Sequence, residues 1–419
     1  MDCSIVIPAL NERDNIGPLL QGLKGVLDGL VSTWEVVVVD GGSTDGTVES
    51  ARRMGAAVIV QTQPGYGGAL KAGFEAARGE VVITMDADLS HDPAVVRDLW
   101  ASRGEADLLI ASRYVPGGRA DMTVGRLALS RVLNVGFAWL LALPVKDLSS
   151  GFRLYHRSAL ERLPFKSRDF DVLVEILIHA YAEGFRVREV PFHYRPRRHG
   201  RSHVKLARFA RSYLVTLLRM WQLRHSIFSA DHPEQAIRSW VPLQRAWHRR
   251  RLALLRWGMP LREDVLNLGC GSNLLAEDLG DWVGAETSLK RLRRLARSHT
   301  RLVKAAPDAL PFRDAAFAGL VCAGVLEHWP TSPVIVPELL RVLRPGGRLC
   351  VAVPDAGRWR WRLAEWVHLV LFPEVYGEKM TSHYTSRGLI ESLEAAGAEV
   401  MGARMVYGAE VVVAARKPA

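Results

Sequence analysis

Short apolar runs bounded by polar turns mark the first half of the chain. Cys3–Pro8, Trp34–Asp40, Ala57–Gln61, Glu80–Asp86 and Asp107–Ala111 read as strands. Between them, apolar residues recur at helical spacing over Arg13 to Asp28, Thr47 to Met54, Ala69 to Arg78 and Pro93 to Ser102. Strands alternating with helices predict a mostly parallel sheet with helices on its faces. From Arg186 to about Arg256 the pattern changes: basic residues dominate, with Trp221, Trp240 and Trp247 among them. A second β/α series begins at Val265–Leu268, continues through Trp282–Glu286, Phe317–Cys322 and Arg348–Val353, and closes with Glu410 to Ala415. The fold class is α/β throughout, with domains expected over 1–223 and 262–419 and a basic, Trp-containing linker or helix over 224–261.

Composition adds an anionic partner. The 419 residues carry a formal net charge of +11 and are 48% hydrophobic, enough for two cores. Such charge favours a nucleotide, a phospholipid surface or a nucleic acid, without choosing among them. Cys3, Cys270, Cys322 and Cys350 form no C-x-x-C pair and sit in or beside apolar runs. Buried reduced thiols in a cytosolic protein are therefore expected, with no disulfide or zinc framework. The chain opens directly on a strand-like run, without a signal-peptide pattern. No stretch reaches the length of a spanning helix. Val132 to Pro144 and Trp361 to Pro373 come nearest, and both are expected to pack in a core or interface, with a membrane surface as the alternative.

Candidate chemistry collects where the first series of strands ends, the ligand side of an open α/β sheet. The strand ends carry Pro8-Ala9-Leu10-Asn11-Glu12, Asp40 to Thr47, Asp86-Ala87-Asp88, and Ser112-Arg113-Tyr114. A single Asp-x-Asp is a weak signal and could merely cap the next helix. Four polar strand ends in order are a stronger one. A hard divalent ion, Mg²⁺ or Mn²⁺, needs oxygen ligands to neutralise a leaving diphosphate, and Asp88, with Asp86 beside it, can supply them. Arg113 can add positive charge to the leaving group.

These residues carry a resemblance. Ile7 to Glu12, the Asp40 to Thr47 turn, Gly65 to Leu70, Met85 to His91 and Asp147 to Arg153 resemble family 2 glycosyltransferases, most of all the dolichol- or polyprenol-phosphate mannosyltransferase branch, over about residues 3 to 215. The resemblance implies a GT-A nucleotide-sugar-binding domain and inverting transfer of a hexose from a GDP- or UDP-sugar to a polyprenyl phosphate. It places Pro8, Leu10, Glu12, Val39 and Asp40 on the nucleotide side. Asp86, Ala87, Asp88 and Arg113 would hold diphosphate and metal, and Arg197, with Lys205, would reach phosphate. The chain departs from the family at Gly41, where a second Asp is common, at Ser90, where some members have Gln, and at Ser202-His203 in place of Ser-Lys.

A phosphate acceptor is already ionised near neutral pH and needs positioning rather than a strong base. A sugar hydroxyl would need one, for which Asp147 is the candidate. The acceptor end should be apolar. Val132 to Leu143 and the basic, amphipathic stretch Phe209 to Leu223 are candidates for contact with anionic membrane, the latter equally a domain-closing helix.

In the second series, the strand ending Leu268-Gly269-Cys270-Gly271 meets a glycine turn, and the next strand ends in Glu286. With Asp308 to Phe312, Val325 to Trp329 and Leu340 to Gly347, this order resembles class I S-adenosylmethionine methyltransferases over about residues 262 to 419, implying a Rossmann-like domain. By that resemblance Gly269 and Gly271 face the methionine portion, Glu286 the ribose and Asp308 the adenine. Where the family has a third glycine, this chain has Asn273, which tolerates the same left-handed turn. Glu327 and His328 are expected to form a strand-end turn rather than to act directly.

The combined expectation is a bifunctional enzyme at the cytoplasmic face of a membrane, with no nucleic acid partner. Its second domain would methylate a small molecule, a lipid or the sugar product. Rival readings are transfer to a glycan hydroxyl beside a non-catalytic methyltransferase-like scaffold, a processive polysaccharide synthase, which lacks its spanning helices and Gln-x-x-Arg-Trp motif here, and a basic nucleic-acid-binding protein.

Overall fold

A computed structural model describes residues 1–197, 206–226, 229–238, 241–260, 264–271, 275, 279–329, 333–371 and 382–419. The chain divides into two compact units, Met1–Arg224 and His225–Ala419.

The first unit is built on β1 (Cys3–Ala9), β2 (Trp34–Asp40), β3 (Ala57–Val60), β4 (Val81–Thr84), β5 (Leu108–Ser112), β7 (Arg153–His156) and β8 (Val187–Pro191). They form one sheet in the order β3-β2-β1-β4-β7-β5-β8. All neighbours are parallel except β7, which runs antiparallel to both β4 and β5. A small second sheet pairs β6 (Arg119–Ala120) with β9 (His193–Tyr194). The helices are α1 (Arg13–Leu27), α2 (Thr47–Arg53), α3 (Tyr66–Ala76), α4 (Val95–Ala101), α5 (Val124–Leu140), α6 (Arg157–Leu160), α7 (Val172–Ala182) and α8 (Leu206–His225).

Alternation along β1 divides the core. Val6 joins α3 and α7 residues such as Leu70, Phe74 and Ile176 on one face. Cys3, Ile5 and Ile7 join Ile16, Leu19, Leu23 and Leu99 from α1 and α4 on the other. This period-two exchange gives a strand with two buried faces, as expected of a parallel sheet under helices. The strands and helices expected in this unit are present, with their ends displaced by no more than three residues. The structure adds β8, α6 and α7, which the pattern did not mark, and the short β7. Its first residue, Arg153, is fully buried and donates to the carbonyls of Ser150, Leu148 and Leu173.

The second unit contains α9 (His232–Ile237), α10 (Pro242–Gly258), β10 (Val265–Leu268), β11 (Trp282–Glu286), α11 (Leu289–Leu295), β12 (Leu302–Lys304), β13 (Phe317–Ala323), α12 (Ile335–Val342), β14 (Leu343–Pro354), α13 (Trp359–Leu371), α14 (Ser386–Ala395), β15 (Glu399–Val406) and β16 (Glu410–Arg416). Its sheet runs β12-β11-β10-β13-β14-β16-β15, with β16 antiparallel to both neighbours. In each sheet the order reverses beside the first strand of the series, so the two strands there diverge into a crevice at their C-terminal ends. The basic stretch expected as linker or helix contains α10, which packs on this sheet through Leu254 and Leu255.

All four cysteines are buried free thiols. Among the described residues no helix is long and apolar enough to cross a membrane. The two apolar runs pack in a core only in part: Leu141 and Leu143 of the first are buried and Phe137 and Ala138 pack against the core, while Trp361 of the second is half-buried. In α5 only Asn134 is buried, while Val132, Val135 and Trp139 are 66–68% exposed. In α13, Trp359 and Trp366 are exposed.

Candidate functional site

Backbone and side chains stitch the first two strand ends of the first unit into one wall. Asn11, at φ 55°, accepts from the Thr44 N–H through Oδ1, and its own N–H donates to Ser43 Oγ. The Glu12 N–H donates to Thr47 Oγ1 and the Arg13 N–H to Asp45. Asp40 accepts from the Gly42 and Ser43 N–H groups, so its carboxylate shapes the turn. Leu10 is 37% exposed at the crevice, and Pro8 is partly exposed. The Val39 side chain is fully buried among α3 residues such as Leu70 and Phe74.

The Asp86–Asp88 turn is held from several sides. The Asp86 N–H donates to His91 Nδ1 at 3.0 Å, which leaves Nε2 to carry the ring proton 3.8 Å from the Asp86 carboxylate. His91 is buried against Phe152 and Phe192, and desolvation pulls its pKa down. Tyr66 donates to Asp86 at 3.4 Å. A Cβ on Gly151 would lie 2.5 Å from that hydroxyl, so a larger residue there would displace Tyr66. Asp88 accepts from the Ser90 N–H, and Leu89 between them sits at φ 62°, an uncommon conformation for a leucine. Burial pushes the Asp86 carboxyl up, aided by Asp88 and opposed by His91 and Arg197.

The segment after β9 crosses this turn. The Arg195 N–H donates to the Ser90 carbonyl, and its guanidinium meets Asp92 at 3.2 Å. Arg197 Nε stands 3.1 Å from Asp88, and its Nη1 3.8 Å from Glu12. Glu12, Asp86, Asp88 and Arg197 thus converge from three separate strand ends. Burial raises the Glu12 pKa, with Asn15 and Arg197 opposing. Lys205 lies outside the described residues.

Arg113 is less open than its position suggested. Its Nε and Nη2 grip buried Asp147 at 2.7 and 2.6 Å, and Nη2 also donates to Ser149. Tyr114 and Tyr194 flank the guanidinium. Nη1 has no hydrogen bond among the described residues. The same pairing ties up Asp147, which is fully buried and poorly placed as a base. His91, Tyr66 and Phe192 had no assigned role in the sequence; a histidine inside the Asp-rich turn was the available signal.

In the second unit, Gly269 has φ 72°, and a Cβ there would meet Val325 at 2.1 Å. A Cβ on Gly271 would meet Arg291 at 2.4 Å and Glu286 Oε2 at 2.8 Å. Glu286 accepts from the Ser288 N–H through Oε1, while buried Oε2 has no hydrogen bond among the described residues. Asp308 accepts from Trp329 Nε1 at 3.0 Å. Glu327, buried just beyond β13, has its pKa pushed up to about 7 by desolvation, with Arg251 opposing. Ser272 and Asn273 lie outside the described residues.

Residues 4–164 match the profile of Glycosyl transferase family 2, and residues 266–351 that of a Methyltransferase domain. The chain is 33% identical to the dolichol-phosphate mannosyltransferase of Pyrococcus furiosus over 49% of its own length, and it spans 60% of that protein. It is 36% identical to the polyprenol monophosphomannose synthase of Mycolicibacterium smegmatis, covering 47% of this chain and 78% of the other. A glycosyltransferase of uncharacterised activity from Mycobacterium tuberculosis is 33% identical, with 52% of this chain and 96% of that one covered. The solved structure of glucosyl-3-phosphoglycerate synthase from the same organism, with Mn²⁺, uridine diphosphate and glucosyl-3-phosphoglycerate, is 27% identical over 52% of this chain and 79% of that one, at a TM-score of 0.44. With its strand-end cluster on one sheet and its glycine-turn crevice on the other, the chain belongs to the family 2 glycosyltransferases through its first unit and carries a methyltransferase domain in its second.

Proposed function

We propose that the first unit transfers a hexose, with inversion, from a GDP- or UDP-sugar to a polyprenyl phosphate, and that the second methylates an acceptor with S-adenosylmethionine. The observation that carries the first half is the convergence of Glu12, Asp86, Asp88 and Arg197. Crowded carboxylates, of which burial raises the pKa of Glu12 and Asp86, suit a cation. Their donor set is oxygen only, which fits Mg²⁺ or Mn²⁺ held by Asp88 and Asp86 with positions left for diphosphate. Such an ion, when bound, offsets the charge of the departing nucleoside diphosphate.

The chain's own residues do the rest. Pro8, Leu10 and the Asn11–Thr47 wall receive the nucleotide. His91 and Tyr66 fix the Asp86 carboxylate, and Arg197 and the Nη1 edge of Arg113 bring positive charge to the diphosphate. Asp147 holds the Arg113 fork in place. A phosphate acceptor agrees with a site whose remaining carboxylates are committed to partners, because it requires no base. Exposed apolar positions on α5, with Leu214, Val215 and Leu218 on α8, offer a surface for the isoprenoid. The relatives' names, dolichol-phosphate mannosyltransferase and polyprenol monophosphomannose synthase, support this acceptor class.

In the second unit, the Gly269–Gly271 approach and Oε2 of Glu286, which has no hydrogen bond among the described residues and stands 3.9 Å from Arg291 Nη1, fit S-adenosylmethionine, the oxygen being placed to accept from a ribose hydroxyl. That cosubstrate would supply an activated methyl group.

The acceptor class is tested by offering a polyprenyl phosphate and a panel of free glycans with the same labelled donor. Label in an organic-extractable, mild-acid-labile product is expected. Label only in glycan would replace the lipid phosphate by a hydroxyl acceptor.

A further inference from the structure

Helix α13 follows β14 in the second unit, and its amphipathicity is inverted. Trp359, Leu363, Trp366, Val367 and Val370 fall at i, i+4, i+7, i+8 and i+11, one stripe of a helix. They are 68, 50, 61, 41 and 58% exposed. The opposite side carries Trp361 and Glu365, both half-buried against the unit. Arg362 and Arg360 flank the stripe on either side and are exposed. Arg362 donates to the Ala356 carbonyl and Arg360 to the Tyr407 carbonyl, which fixes both guanidinium groups beside the apolar stripe.

A second observation continues this surface. Tyr407, in the turn between β15 and β16, stands near Trp247 of α10 with ring centroids 6.3 Å apart. Together with Arg245, Arg249 and Arg250 of α10 it lines a recess of about 500 Å³. An apolar ridge with two tryptophans therefore adjoins a guanidinium-lined recess, with Arg360 and Tyr407 linking them. Among the acids nearby, Asp355 is already engaged by Arg358 and Ser386.

We propose that α13 is a membrane-docking helix, lying in the interface of an anionic bilayer with the α10 arginines on its phosphates. Charge complementarity selects this occupant: an apolar protein partner would not need the arginines, and a polyanion without hydrocarbon would not need the stripe. At 13 residues the helix is about 20 Å long, too short to span, so it lies in the surface plane. The proposal concerns residues of the second unit alone, and it holds or fails independently of the donor-site and acceptor readings of the first.

The test uses the full chain with Val367→Cys carrying an environment-sensitive fluorophore. The native thiols are buried, with pKa values pushed up by desolvation, and do not compete for the label. With vesicles of phosphatidylcholine and phosphatidylglycerol the emission shifts to the blue, and a control label at Arg387→Cys on α14 does not shift. Leu363→Glu with Val370→Glu, and separately Arg360→Ser with Arg362→Ser, each lower vesicle partitioning on the order of tenfold. Three results would overturn the proposal: vesicle binding without a shift at position 367, no vesicle binding at all, or a shift without lipid that grows with protein concentration, which would mean a second copy covers the helix.

Discussion

At the scale of single residues, the first site is a balance of charge rather than a list of ligands. Among the described residues, Glu12, Asp86 and Asp88 face one guanidinium, that of Arg197, so these groups together retain negative charge that a divalent cation would offset. Asp88→Asn is expected to lower sugar transfer by about 10² or more in kcat while leaving thermal unfolding nearly unchanged, read by steady-state kinetics and calorimetry. The acids were legible as a strand-end motif. What holds them was not: Asp147 and Arg113 lie 34 positions apart, and no local pattern announces that they will pair. In the second unit, Glu327 gives a pH prediction. Its pKa is raised to about 7 in the folded protein, so its contribution to stability is complete below the unfolded value near 4.5 and is lost as pH rises through about 7. Replacing it by Gln removes this dependence. The wild-type minus variant stability is therefore expected to fall by on the order of 2 kcal/mol between pH 4.5 and 8, measured by urea denaturation. A flat difference would place Glu327 in contact with water.

At the scale of elements, period-two and period-3.6 patterns were enough to find β1 to β5 and α1 to α4, because buried strands and amphipathic helices leave strong periodic traces, but they did not mark the parallel strands β8 and β12 or helix α7. The miss at β7 has a physical cause. β7 has four residues and begins with an arginine, so its burial is carried by hydrogen bonds rather than by apolar side chains. Arg153→Leu would strand three carbonyls in the core, and a loss of about 3 kcal/mol or more from the first unit is expected in urea unfolding. The apolar runs of α5 and α13, packed in a core only in part, misled in the opposite direction. Hydropathy alone reports that a segment avoids water, not whether protein or something outside the chain shields it.

At the scale of the whole molecule, each unit has its own sheet, its own cores and its own strand-end crevice. Two chemistries on two sheets should separate by mutation. Glu286→Gln is expected to weaken S-adenosylmethionine binding about tenfold by calorimetry while sugar transfer is unchanged, and Asp88→Asn to do the reverse. The central claim is that the Asp86–Asp88 turn is a metal-dependent nucleotide-sugar site. The most direct measurement is transfer of labelled hexose from GDP- and UDP-sugars to a short polyprenyl phosphate by the full chain, with Mn²⁺ or with EDTA, beside Asp88→Asn. Turnover of at least one donor is expected with Mn²⁺, and its loss with EDTA and in the variant. Turnover that persists in EDTA, or no turnover of any donor by folded protein with Mn²⁺, would contradict it.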